Sequence, residues 1–212
     1  VKRPSRSVGI IGGNHPPVVM GVDDLSGSVL HLVTLSRAEI TEAVIQDLSD
    51  DPQAVLVYRC TSANVQAELR WLRATLEQQH CPVPVIFQLQ VDETTADGFQ
   101  IVSAASLGGA FIDGFGNGIW LTATPAIPEE VVRSTAFGIL QACRARITRT
   151  DYISCPSCGR TNFDLITTTA RIREATSHLK GLKIGIMGCI VNGPGEMADA
   201  DYGYVGAGKG KI

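Results

Sequence analysis

Short apolar runs alternate along the chain with segments whose apolar residues recur every three or four positions. The run at 29–35 predicts a strand, with a helix over about 37–48 behind it. Residues 54–60 (AVLVYRC) predict a second strand, and Thr61 and Ser62 stand where an N-cap belongs. The helix expected next, over about 64–80, places Val65, Leu69, Leu72 and Leu76 on one stripe. A third strand is expected at 83–91, a helix at 94–107, a short fourth strand at 109–112 and a fifth at 118–122. The segment 128–147 reads as a helix, with Pro128 in the first turn and Val132, Ala136, Ile139, Leu140, Cys143 and Ile147 on one face. Beyond it come a short strand at 152–154, a helix at about 164–179 and a strand at 182–187. A Gly/Pro loop and a short strand at about 202–205 follow. Strands alternating with helices predict an α/β fold of parallel strands covered by helices.

Composition narrows the class. The 212 residues, 44% apolar and 18% charged, suffice for one domain of ordinary size and a small one, and exclude a disordered chain. No apolar run approaches the roughly 18 residues that span a bilayer, which argues against a membrane protein. Six cysteines are too sparse for a secreted disulfide scaffold, and no apolar segment follows the charged residues at 1–7 as in a signal peptide. A reducing cytoplasm is the expected compartment. The chain lacks an initial Met and stops at Ile212 as an apolar segment begins, so a piece of a longer protein is expected.

Charge changes sign along the sequence. Residues 1–147 carry 10 Lys and Arg against 15 Asp and Glu; residues 148–212 carry 8 against 6. Two domains are expected, 1–147 and 148–212, the second small, Gly-rich and holding the only clustered cysteines. With the whole chain at −3 and no basic stripe interleaved with aromatics, nucleic-acid binding is not expected.

The candidate chemistry lies in two stretches, Cys155-Pro156-Ser157-Cys158 after one strand and Gly188-Cys189-Ile190-Val191-Asn192-Gly193-Pro194-Gly195-Glu196 after another. A C-x-x-C turn can place two sulfurs on one metal centre, and loops after parallel strands gather at one edge of a sheet, where Cys189 can join them. Three thiolates leave a fourth position to Glu196, Asp199, Asp201, His178 or an exogenous group. Three soft ligands and a hard carboxylate suit iron–sulfur better than structural zinc. A structural zinc site and a thioredoxin-like redox pair are the other readings of the spacing. Cys60, Cys81 and Cys143 stand alone and read as packing residues; His15, His31, His80 and His178 are isolated and receive no role.

The runs YISCPSCGRT and KIGIMGCIVNGPGEMADADYGYVG closely resemble the C-terminal iron–sulfur domain of the 4-hydroxy-3-methylbut-2-en-1-yl diphosphate synthase family. The resemblance is dense over about 108–212. Upstream residues look like the extra barrel-like (β/α) domain of the large, plant-type form, with the catalytic TIM barrel and the last stretch of the iron–sulfur domain missing. It implies a partial barrel-like spacer over 1–147 and an incomplete α/β cluster domain over 148–212. It further implies a [4Fe–4S] cluster on Cys155, Cys158, Cys189 and Glu196, with Asn192 directed at the substrate. The implied reaction is reductive opening of a cyclic diphosphate, 2-C-methyl-D-erythritol 2,4-cyclodiphosphate, by two electrons from ferredoxin or flavodoxin. A homo-oligomer is compatible with the resemblance. The chain alone is expected to be inactive without the TIM barrel. A non-enzymatic zinc-binding interaction module is the competing reading.

One loop departs from the family pattern. In the segment 112–120, Asn117, Gly118 and Trp120 occupy places that the short form writes as Asp, Thr and Arg, and a structural turn is expected. Neither this loop nor Gly206-x-Gly208-x-Gly210 has dinucleotide-fingerprint spacing. The basic residues Arg160, Arg171, Arg173, Lys180, Lys183, Lys209 and Lys211 read singly as a solvated surface. Together they can steer an acidic carrier or a diphosphate.

Overall fold

The computed structural model describes residues 30–208. The charged residues at 1–7, His15, Val29, and the glycine and lysines at 209–211 with Ile212 lie outside the described residues. After Arg146 the chain divides into two compact units.

The first unit is a parallel four-stranded sheet in the order β1 (His31–Leu35), β2 (Ala54–Arg59), β3 (Val85–Val91), β4 (Gly118–Ala123). Its helices are α1 (Glu42–Asp50), α2 (Val65–Gln78), α3 (Ala96–Ile112) and α4 (Glu129–Ala142). β2 reads as an unbroken apolar run because it is a central parallel strand: Ala54 to Tyr58 are all buried. β3 alternates instead, with Val85, Phe87, Leu89 and Val91 buried. The α2 stripe of Val65, Leu69, Leu72 and Leu76 is buried in the core. Cys81 is buried there too, and Cys60 and Cys143 pack against it half-exposed.

Several boundaries differ from the sequence pattern for identifiable reasons. Residues 109–112 are not a strand; α3 runs through them to Ile112. Three apolar residues beside glycines fit either element, and packing decides. Phe111 meets Phe87 edge-on at 5.2 Å, and the Cys143 thiol of α4 donates to the Gly108 carbonyl at 3.4 Å. The first helix is split into a 3-10 turn (Arg37–Glu39) and α1, because Thr41 caps α1 by accepting from the Val44 amide. The cap of α2 is Asn64, which accepts from the Ala67 amide at 3.0 Å, rather than Thr61 or Ser62. α4 stops at Ala142, short of Ile147, with Arg144 in the left-handed region at φ 54°. In the loop before β4, Asn117 donates its amide to the Val85 carbonyl and accepts from the Val85 amide on its side-chain oxygen. That is the expected structural turn, and it lies at the amino ends of β3 and β4.

Thr61 and Ser62 serve another purpose. Their amides donate to the Glu68 carboxylate at 3.2 and 3.0 Å, and the Tyr58 hydroxyl donates at 3.1 Å. Glu68 is 1% exposed, so these donors replace the water that a carboxylate needs. The arrangement ties the end of β2 to the first turn of α2.

The second unit is a parallel three-stranded sheet in the order β5 (Asp151–Ser154), β6 (Lys183–Met187), β7 (Tyr202–Val205). α5 (Leu165–Thr176) joins β5 to β6, and the single turn α6 (Gly193–Glu196) lies between β6 and β7. Asp164 caps α5 by accepting from the amide and hydroxyl of Thr167, which hold its carboxyl below the usual range. α5 ends at Thr176, earlier than its pattern suggests, where the Thr150 hydroxyl lies 3.1 Å from the Thr176 carbonyl and 2.8 Å from that of Leu179. The core is small: Leu165, Ile184 and Ile186, flanked by Tyr152, Phe163, Ile172 and Tyr204. After α6 the chain recrosses the sheet with Met197 pressed on bare backbone. A Cβ at Gly185 would lie 2.6 Å from Met197 Cβ, and one at Gly203 2.4 Å from Met197 Cε.

Three outcomes are expected. Glu68→Ala leaves the buried Tyr58 hydroxyl and the part-buried Thr61 and Ser62 amides without their acceptor and lowers stability by about 3 kcal/mol, against about 1 kcal/mol for Tyr58→Phe, in urea unfolding of this chain. Gly203→Ala destabilises by about 1–3 kcal/mol through overpacking against the end of the Met197 side chain, and adding Met197→Ala recovers part of it in a double-mutant cycle. The third concerns pH. Burial, and secondarily Glu68, push the Cys60 thiol up to about 12 from an ordinary value near 9. The unfolded chain therefore ionises first, and stability falls as pH rises from about 9 toward 12, a decline that Cys60→Ala makes shallower in urea titrations.

Candidate metal centre

The candidate ligands sit on loops that leave the carboxyl edge of the second sheet. Cys155 directly follows β5, and its amide still donates across to the Ile186 carbonyl of β6 at 3.3 Å. The chain then turns tightly. Ser157 takes φ 71°, and Cys158 and Thr161 exchange two hydrogen bonds. The Thr161 amide donates to the Cys158 carbonyl at 3.0 Å, and the Cys158 amide donates to Thr161 Oγ1 at 3.1 Å. Ser157 Oγ lies 3.1 Å from the same hydroxyl.

The second loop meets the first at Gly188. Its amide donates to Cys155 Sγ at 3.3 Å, and its carbonyl accepts from the Asn162 backbone amide at 3.0 Å. The Asn162 side-chain amide lies 3.4 Å from that carbonyl and 3.3 Å from the Gly206 carbonyl past β7. A side chain at 188 would not fit: a Cβ there would lie 2.7 Å from Thr161 Oγ1 and 2.8 Å from its Cγ2. Cys189 comes next, and its carbonyl accepts from the Gly193 amide at 3.2 Å. That bond starts α6, and the Glu196 amide closes the turn on the Asn192 carbonyl at 3.0 Å.

The candidates differ in exposure. Cys155 and Cys189 are half-buried and Cys158 is exposed; none is in a disulfide. Asn192 and Glu196 are exposed. Among the described residues, no three His, Cys, Asp or Glu side chains are close enough together to hold a metal ion. The fold thus brings the Cys155 sulfur to the residue beside Cys189, without collecting three ligating side chains in one coordination sphere. Two of the alternatives for the fourth position lie elsewhere. Asp201 pairs with Lys183 at the amino end of β6, its carboxylate accepting the Lys183 amide at 2.8 Å. His178 follows α5 at that same end, where the Lys180 amide donates to its carbonyl. Both are five residues of strand, roughly 16 Å, from the carboxyl edge.

Beside Cys155 opens a cleft of about 600 Å³, lined by Ser154, Ser157, Thr161, Phe163, Ile166 and Arg173 among others. Ile166 is 84% exposed and the Arg173 guanidinium stacks over Tyr152. Sequence reasoning singled out the cysteines but missed Thr161 and Asn162. The available signal was a hydroxyl and an amide three and four residues after Cys158, side chains that close turns on nearby backbone.

Residues 151–212 match the family described as GcpE protein C-terminal domain. Over 173 residues, 82% of the chain, the sequence is 53% identical to a 4-hydroxy-3-methylbut-2-en-1-yl diphosphate synthase (flavodoxin) of Bacteroides fragilis, covering 28% of that protein. The namesake of Porphyromonas gingivalis is 45% identical over 203 residues, 93% of the chain and 35% of the relative. A chloroplastic 4-hydroxy-3-methylbut-2-en-1-yl diphosphate synthase (ferredoxin) of Oryza sativa subsp. japonica is 51% identical over 138 residues, 65% of the chain and 18% of the relative. The chain thus spans about a third or less of the length of these relatives. With about two thirds to nearly all of its own length matched at this identity, the chain is similar to part of the 4-hydroxy-3-methylbut-2-en-1-yl diphosphate synthases, and residues 151–212 match the GcpE protein C-terminal domain separately.

Proposed function

We propose that this chain is the iron–sulfur part of a 4-hydroxy-3-methylbut-2-en-1-yl diphosphate synthase. The whole enzyme would reductively open 2-C-methyl-D-erythritol 2,4-cyclodiphosphate with electrons from flavodoxin or ferredoxin, the donors in the names of its relatives. Residues 148–212 are its cluster domain. Residues 1–147 are a barrel-like (β/α) spacer, a reading supported by four parallel strands in sequential order with a helix after each. The enzyme works in the cytoplasm, or in the plastid stroma if the chain comes from a plant. No helix among the described residues is long and apolar enough to cross a membrane.

Cys155, Cys158, Cys189 and Glu196 would hold a [4Fe–4S] cluster. The observation that carries this is the bond from the Gly188 amide to Cys155 Sγ, which joins the two cysteine loops at one sheet edge. An N–H donor aimed at sulfur stabilises a thiolate, and such bonds to cluster sulfurs tune reduction potential. The donor set fits as well, three thiols without disulfides and one exposed carboxylate. When bound, the cluster supplies one-electron reduction. Around it the chain has three tasks. Gly188 donates to the first ligand, α6 carries Glu196 on a single turn that can swing aside, and Asn192 offers an exposed amide to orient substrate oxygen.

The experiment is anaerobic reconstitution of the chain and of Glu196→Ala with iron and sulfide, followed by metal analysis and EPR. About four irons and four sulfides per chain, with an altered but surviving cluster in the variant, are expected for three thiolates and one carboxylate. Tight zinc binding with no cubane signal in the unaltered chain would replace this reading with the structural zinc module.

A further inference from the structure

We infer that Thr161 is the positioning residue that locks the C-x-x-C turn onto the Cys189 loop. The inference rests on the functional reading above for its consequence, but its geometry does not. Thr161 touches both cysteine loops, by hydrogen bonds of its hydroxyl on one side and by packing of its hydroxyl oxygen and methyl on the other. Its hydroxyl accepts the Cys158 amide at 3.1 Å and pairs with Ser157 Oγ at 3.1 Å, on the side of the first loop. Its body covers the α-carbon of Gly188, so tightly that a single added carbon there would collide with it.

Each contact answers a specific need. Ser157 is held at φ 71°, a conformation disfavoured for a residue with a Cβ, and something must over-determine it. The two bonds exchanged between Cys158 and Thr161, with the Ser157 hydroxyl held alongside, do so. That conformation turns the chain between the two thiols, so it decides where Cys158 stands relative to Cys155. On the other side, the Gly188 amide must point at Cys155 Sγ for the 3.3 Å bond to form. Thr161 fixes the glycine from above, and Asn162, the next residue, takes its carbonyl at 3.0 Å. A peptide held on its carbonyl and its α-carbon has little freedom left for its amide. Thr161 therefore sets the separation of Cys155 and Cys158 and aims the donor that serves Cys155.

The hydrogen bonds need the hydroxyl, whereas the cover over Gly188 is shared by the hydroxyl oxygen and the methyl, so two variants separate the hydrogen bonding from the methyl packing. Thr161→Val keeps the shape over Gly188 and removes the hydroxyl. Thr161→Ser keeps the hydroxyl and removes the methyl. Amide exchange of the chain by NMR, and the rate of iron release to a chelator after anaerobic reconstitution, are measured for both variants and the unaltered chain. Thr161→Val is expected to speed Cys158 amide exchange roughly tenfold, for one lost hydrogen bond, and to speed iron release by a similar factor. Thr161→Ser is expected to keep Cys158 exchange and iron release within about twofold of the unaltered chain and to speed exchange only at Gly188 and Asn162.

A general stabilising role would instead raise exchange throughout β5, β6 and β7 in both variants, with iron release following it, and that result overturns the inference. So does a Thr161→Val chain whose Cys158 amide stays protected. If the unaltered chain takes up no cluster, the functional reading fails, while exchange at Cys158 and Gly188 still decides whether Thr161 holds the two loops.

Discussion

The second unit depends on one residue that has no side chain. Gly188 ends β6, and both halves of its backbone are committed to the neighbouring loop: the amide to Cys155 Sγ, the carbonyl to Asn162. Neither bond could form if a Cβ held the loops apart, since Thr161 occupies that space. Parallel strands bring their carboxyl-end loops to one edge but do not by themselves fix distances between them. Here the fixing comes from close approach of bare backbone, and Asn162 extends it by reaching the Gly206 carbonyl, so that the ends of β5, β6 and β7 form one connected edge. The buried apolar side chains of this unit, Leu165, Ile184, Ile186 and Met187, are too few to hold three loops in register through apolar packing alone.

The first unit meets a similar need by the opposite means. The loop after β2 is held by a buried carboxylate, which gathers the Tyr58 hydroxyl and the Thr61 and Ser62 amides. That solution requires enough donors to compensate the loss of water, and Glu68 has them. It also leaves the carboxylate little capacity to accept a ligand, because its oxygens are already engaged by these donors. The neighbouring Cys60 thiol is pushed up to about 12 and stays neutral under ordinary conditions. Polar residues at the end of β2 therefore serve architecture. Those at the end of β5 and β6 leave their sulfurs with at most one donor apiece, which suits them to binding.

What was legible in the sequence followed from signals that local packing cannot reverse. The stripe of Val65, Leu69, Leu72 and Leu76 marked α2, and the unbroken run of β2 marked a strand buried on both faces. Residues 109–112 could not be assigned this way, because a glycine and three apolar residues carry no period of their own. Their state was settled by Phe87 and Cys143, which are distant in sequence. Thr61 and Ser62 had the right chemistry for a cap but were drawn to Glu68, seven and six residues away. The cysteine motifs were equally plain as motifs. Their coupling was not, since it runs through a hydroxyl, an amide side chain and the absence of a Cβ, none of which has a recognisable spacing.

The position of Glu196 follows from how the chain leaves that edge. A Cβ at Gly193 would lie 2.8 Å from Met187 Cβ and 3.1 Å from Val205 Cγ1, so α6 begins directly on the ends of β6 and β7. Four residues later Met197 is clamped over Gly185 and Gly203, and by Asp201 the chain has returned to the amino end of β6. Between the two anchors lies a single exposed turn with no side-chain cap, carrying Glu196. A one-turn helix gains little from its own hydrogen bonds, so its carboxylate can move without disturbing the sheet beneath. The three cysteines lie on loops fastened to strand ends, whereas Glu196 lies on the least constrained turn between them. In the proposed centre, that difference in attachment, more than any difference in donor chemistry, would make the carboxylate the ligand that yields its place.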